Sequence, residues 1–231
     1  MPREIITLSD PAANRLIKQY SRDIKALSNR ALRGEIGEGA YRRELDTLTT
    51  AAFSLAFLLG DGDNQNAAGK AALQQALTQE RNSINVLTND IFSGDFGARS
   101  AEDATPGNPE QTAARGREKL GNRLILWAIT IGGIYHMGQE FASDRFGEER
   151  NYEWFYDNRK RHCGTCLGLN GVVLSVSEWR IIGYRPQDSG LDCGGHECGC
   201  ERKETDKPSI GVDAAQGKVN VATASLARNK A

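Results

Sequence analysis

Five cysteines confined to two short clusters constrain this chain more than any other feature. Cys163 and Cys166 stand in CGTC, 26 residues follow, and Cys193, Cys198 and Cys200 stand in CGGHECGC. A CxxC pair with glycine between the cysteines lets the backbone fold back so that both thiolates face one ion, and a second cluster supplies the rest of a tetrahedron. Alanine marks the same region from the other side. Of 26 alanines, 20 lie at or before Ala142, none lies between Ser143 and Asp213, and six lie beyond, so all five cysteines fall in an alanine-free window. Alanine is the strongest helix former, and short cysteine spacings are staples or metal ligands. The expected fold is therefore mainly α: a helical region over residues 1–142, whose long last helix leads into a small zinc-stapled α+β or β-hairpin module over 143–203. A polar C-terminal tail over 204–231 completes the chain.

Thiolate-rich sites of this kind suit zinc, and four closed protein ligands make it structural, with no open position for a substrate. The candidate ligands are Cys163, Cys166, Cys193, Cys198 and Cys200. In the second cluster three cysteines and His196 compete for two positions. Cys193 with Cys198 is the preferred pair, with Cys200 or His196 as an alternate ligand or an outer supporting group. One zinc per chain follows. Disulfides are the competing reading, and the odd cysteine count and the lack of an export signal weigh against it. A module of about 50 residues buries little apolar surface, so metal binding is expected to contribute to its folding.

Apolar spacing predicts the helical region. Asp10 before Pro11 signals a cap and first turn, and Leu16, Ile17, Tyr20, Ile24 and Leu27 recur at helical spacing. A second helix is marked by Tyr41, Leu45, Leu48, Ala52, Leu55 and Leu59 and ends at Gly60, and a third by Leu73, Leu77, Ile84, Leu87 and Ile91. Asn108, Pro109 and Glu110 start a fourth, with Leu120, Leu124, Trp127, Ile131, Tyr135 and Ala142 on one face and a bend expected at Gly132 and Gly133. Around Leu124 to Ile134 the apolar residues cover more than one face. Cover by several neighbours is the first reading, and docking of a partner chain or a second copy is the sharper one. In the module, Asn170 and Gly171 predict a turn, with a strand through Val172, Val173, Leu174, Val176 and Trp179. Tyr152, Trp154, Phe155 and Tyr156 are expected to pack the module against the long helix.

Other chemistries are excluded on spacing. DGDNQN at Asp61 lacks the glycine and glutamate of a calcium loop, having Asn66 and Ala72 there. GDNQNAAGK has the wrong glycine spacing for a phosphate loop, and Ala71 follows Lys70 where a magnesium-binding hydroxyl belongs. His196 next to Glu197 breaks the zinc deaminase pattern. His162 beside Cys163 offers no nucleophile–base pair, because adjacency in sequence does not create hydrogen-bond reach. No catalytic residue is assigned. The 29 basic and 30 acidic residues leave a net charge of −1, which excludes a histone-like chain, although Arg159, Lys160 and Arg161, followed by His162, make a local basic cluster just before the first CxxC pair. The longest nearly apolar run, Leu124 to Met137, is 14 residues, short of the ~20 that span a bilayer. Charges in MPREIITLSD interrupt any signal-peptide core, so a soluble protein is expected.

The order of these parts is familiar. RLILWAITIGGIYHMGQEFA, YEWFYD, HCGTCLGLNGVV, a tryptophan segment, a proline turn at Arg185 and Pro186, and CGGHECGC resemble, over roughly residues 115–202, the minor head or head-morphogenesis proteins of tailed bacteriophages, the Mu F-like family. By position, Cys163 and Cys166 match that family's first knuckle, and Cys198 with Cys200 its closing pair. Gly195 stands where the family has histidine, Gly199 where it has arginine, and Cys193 is placed to replace the missing ligand. The resemblance implies a non-enzymatic virion protein of the phage head, associated with the portal and capsid components during assembly in the host cytoplasm and packaged inside the head. Some relatives carry a toxin or transferase domain after the cysteines, and the 31 residues after Cys200 are too few for one. The alternative is a zinc-stapled nucleic-acid-binding module accompanying the genome through weak, non-specific contact with DNA.

Overall fold

The first helix begins where the sequence puts its cap. Asp10 accepts the amide protons of Ala12 and Ala13 at 2.6 and 3.3 Å, Pro11 opens the helix, and α1 runs Pro11–Leu32. The computed structural model describes residue 8 and residues 10–60, 66–93, 109–146, 149–156, 162–188, 191–193 and 199–228, with side chains in the fourth helix described at 120–125 and 127–142. Three further long helices follow: α2 (Glu38–Leu59), α3 (Ala67–Phe92) and α4 (Pro109–Phe146). They pack on one another around a single core built from Ile17, Tyr20 and Ile24, then Tyr41, Leu45 and Phe57, with Leu77, Ile84, Leu124 and Ile131 completing it. Buried hydroxyls inside it are paired, Tyr20 with Thr49 at 2.7 Å and Ser28 with Tyr41 at 2.9 Å, which removes the cost of leaving them dry.

The buried face of α2 differs from the expected one. Tyr41, Leu45 and Ala52 face the core, but Leu55 is 47% exposed, and Phe53 and Phe57 are buried in its stead. Phenylalanine removes more apolar area from water than leucine, and Phe57 meets Phe141 of α4 at 5.8 Å between ring centroids. α4 is continuous through Gly132 and Gly133. Gly132 provides space rather than a break: a Cβ there would fall on the side-chain amide of Gln187. Residues 127–138 are buried except for the half-buried Thr130, covered by the other helices on one side and by the second unit on the other. Within the stretch from Leu124 to Ile134, weighed as a docking surface, the described side chains at 124, 127–129 and 131–134 are buried, and Ile125 and Thr130 are half-buried. No helix of the described residues is long and apolar enough to cross a membrane.

Beyond α4 a three-stranded antiparallel sheet carries the second core, as the sequence reading of a small α+β module required. β1 (Asn151–Phe155) lies between β2 (Val173–Ser175) and β3 (Glu201–Thr205), with Tyr152 opposite Leu174 and Glu204. Three helices complete it: α5 (Gly164–Leu169), α6 (Val176–Ile182) and α7 (Val212–Arg228). The turn at Asn170 and Gly171 forms as expected, with Gly171 at φ +72°. The strand after it stops at Ser175. Ser175 and Glu178 make a reciprocal capping box, so Val176 and Trp179 belong to a helix, not to the expected strand. Tyr152 and Trp154 pack inside the module and not chiefly on the long helix; Trp154 is fully buried against Trp179 at 5.7 Å. Residues after 204, expected as a polar tail, include α7, which lies across α5 and adds Ala215 and Val219 to the second core.

Buried charge joins the two cores. Glu140 of α4, 1% exposed at its side chain, takes Arg202 Nη1 of β3 at 2.9 Å on one oxygen and Arg185 Nε at 2.7 Å on the other. Arg202 also donates to the His136 carbonyl at 2.6 Å and lies over the Trp179 ring. Arg180 of α6 donates to the Glu140 carbonyl and covers Phe141.

Candidate metal centre

Cys163 sits at the cap position of α5, and its Sγ accepts the Cys166 amide at 3.5 Å. One short helical turn therefore brings the two sulfurs to 3.4 Å, far beyond the ~2.05 Å of a disulfide and close to the edge of a metal tetrahedron. α5 is held from behind by α7. Cβ atoms at Gly164 and Gly168 would come within 2.8 Å of Thr223 Cα and 2.5 Å of Val219 Cα, so only glycine permits this backbone approach. Gly164 thus serves packing as well as the turn between the ligands.

The second cluster is tied to the first by Asp192. Its carboxylate accepts the Thr165 amide at 3.0 Å at the start of α5, and its own amide donates to Thr165 Oγ1 at 3.4 Å. Cys193 follows directly and comes within 4.8 Å of both Cys163 and Cys166. Cys200 is fully buried at the entry to β3, where its carbonyl accepts from Gln187 Nε2 at 3.4 Å. The same Gln187 fills the space at Gly132, which links the cluster to α4.

His162 completes the assembly. Its ring packs at a tilt against Tyr156, 4.4 Å between centroids, and Nδ1 lies 3.8 Å from Cys200 Sγ. The described donors form two triads, His162–Cys166–Cys200 and Cys163–Cys166–Cys193, each with its ligand atoms within 4.8 Å of one another. Four of the five expected ligands are therefore together, and such a group of thiols and an imidazole can hold a metal ion. Cys198 and His196 lie outside the described residues, as do Gly195 and the basic cluster at 159–161.

The sequence reading weighs His162 as a base for Cys163 and as the end of the basic cluster before the first knuckle, not as a ligand. Its neighbour across the fold is Cys200, 38 positions away. The signal was a histidine directly before a CxxC pair, in a chain with only three histidines. Of the others, His136 is fully buried in α4 and donates from Nδ1 to Gln139 Oε1 at 2.7 Å. Burial, with the Arg202 charge beside it, holds His136 down to about 3, so it is neutral and plays no part in the cluster. Between the two cores a cleft of about 300 Å³ is lined by Tyr135, Gln139, Tyr152, Arg202, Lys203 and Glu204. Compared with protein-family models, curated proteins and solved structures, the chain matches none.

Proposed function

We propose that this chain is a non-enzymatic phage head-morphogenesis protein, associated with the portal and packaged in the head, whose cysteine module is stapled by structural zinc. The observation that carries the reading is the convergence of Cys163, Cys166, Cys193, Cys200 and His162, from three separate segments, at the point where α5, α7 and the sheet meet. Zinc matches sulfur and imidazole donors and needs no redox partner. A metal there holds together a module whose own core is small, and the Glu140 cluster couples that module to the helical region. The family resemblance over residues 115–202 supplies the head and portal assignment.

The nucleic-acid alternative gains nothing from Tyr152 and Trp154. Trp154 is fully buried and Tyr152 is 5% exposed, so neither offers a face for base stacking. The test is fractionation of proheads carrying a tagged chain, with elemental analysis of the purified protein. Copurification with portal and tightly held zinc are the expected results. A chain absent from proheads and portal complexes overturns the assembly role, and a metal-free folded protein overturns the staple.

A further inference from the structure

A single tetrahedral ion requires all of its ligand atoms to lie about 3.5–3.8 Å apart, the edge set by bonds of about 2.0–2.3 Å. The donors here divide differently. Among the described residues they form two triads that share only Cys166 Sγ. Within each triad one pair already stands near the tetrahedral edge, Cys163 and Cys166 at 3.4 Å in one, His162 Nδ1 and Cys200 Sγ at 3.8 Å in the other. Cys166 is 1% exposed and lies between them. A thiolate sulfur keeps lone pairs after binding one ion and can bridge to a second.

We infer that the module holds a second divalent metal, bound by His162 Nδ1, Cys200 Sγ and a bridging Cys166 Sγ, beside the staple at Cys163, Cys166 and Cys193. Charge balance favours the pair. Four thiolates around one divalent ion leave two net negative charges in a largely buried site, whereas two divalent ions with four thiolates and a neutral imidazole sum to zero, which removes the cost of burying net charge. Donor chemistry favours zinc or another thiophilic divalent ion at both positions. The second position is also shaped from outside the ligand set: Tyr156 packs against the His162 ring, and Gln187 donates to the Cys200 carbonyl.

This inference rests on the zinc-staple reading, and metal counting separates the two. The full-length protein, purified without added metal and then titrated with zinc, is expected to hold two ions per chain. Loaded with cadmium-113, it should give two resonances coupled through the shared sulfur. His162→Ala should hold one ion with the sheet still formed, while His162→Cys, which keeps a donor at that position, should hold two. One ion in the wild-type chain overturns the second site while leaving the staple intact. Two ions retained in both His162→Ala and Cys200→Ser place the second ion elsewhere and overturn it as well. A folded wild-type chain with no metal overturns the staple itself, and the second site with it.

Discussion

Replacing Glu140 by glutamine should be among the most damaging single changes outside the cysteines, although it alters one atom and little volume. The carboxylate is 1% exposed and serves two guanidinium groups, Arg202 at 2.9 Å and Arg185 at 2.7 Å. Arg202, also 1% exposed, cannot turn to water, and burial already pulls its guanidinium below the ordinary value, a pull that Glu140 opposes. Glutamine offers at most one neutral amide oxygen in place of the carboxylate, so beside the His136 carbonyl the Arg202 guanidinium stays buried without a counter-charge. Breaking a buried pair from one side costs about 3–5 kcal/mol. Arg185, 21% exposed and 3.6 Å from Asp188, has other partners and adds little to that cost. Against the ~5–15 kcal/mol that stabilises a typical domain, the loss is a large fraction. Urea unfolding at pH 7 followed by tryptophan fluorescence measures it, since Trp179 lies under Arg202. Glu140→Gln combined with Arg202→Met should recover most of the stability, because the double change removes the orphaned charge. A loss below about 1 kcal/mol in Glu140→Gln, or strictly additive losses in the double variant, would refute the idea that buried charge clamps the module to α4.

Cys166→Ser should release the metal and leave the region from β1 to α7 open to protease while α1 to α4 keep their helical signal, because those helices have their own core; circular dichroism with limited proteolysis reads both. Glu80 sits between helices with one carboxylate oxygen unpaired among the described residues, and burial raises its pKa to about 7. Its contribution to stability is present below about pH 4.5 and is lost as the pH rises through 7, a cost of roughly 3 kcal/mol at pH 8. Glu80→Gln should therefore gain stability relative to wild type across that window in thermal melts, and a constant difference from pH 4 to 8 would show the carboxylate to be solvated. Gly168→Ala should lift α7 from α5, since its Cβ would stand 2.5 Å from Val219 Cα, costing about 1–3 kcal/mol and raising hydrogen exchange in 212–228 first.

The four long helices, with the starts of the first and the fourth, were legible because their causes are local. Asp10 with Pro11, and the recurrence of Leu73, Leu77, Ile84, Leu87 and Ile91, act within a few turns of chain, and hydrogen bonding and periodicity at that range leave a readable pattern. The same holds for the pairing of Cys163 with Cys166, which one helical turn brings about. The capping box at Ser175 and Glu178 was equally local and was masked by a run of β-branched residues that reads as strand. What the chain order could not reveal was everything that depends on which surfaces meet. The rotation of α2 toward Phe53 and Phe57, the seating of α7 on Gly164 and Gly168, and the clamp of Glu140 on Arg202, 62 positions away, exist only once the two cores have closed on each other. His162 belongs to this class. Its partner Cys200 reaches it only because β3 pairs with β1 and carries the end of the second cluster back to the first. Sequence sets which donors are available; the packing of sheet and helices sets which of them share an ion, because ligand geometry is fixed to fractions of an ångström and chain spacing is not.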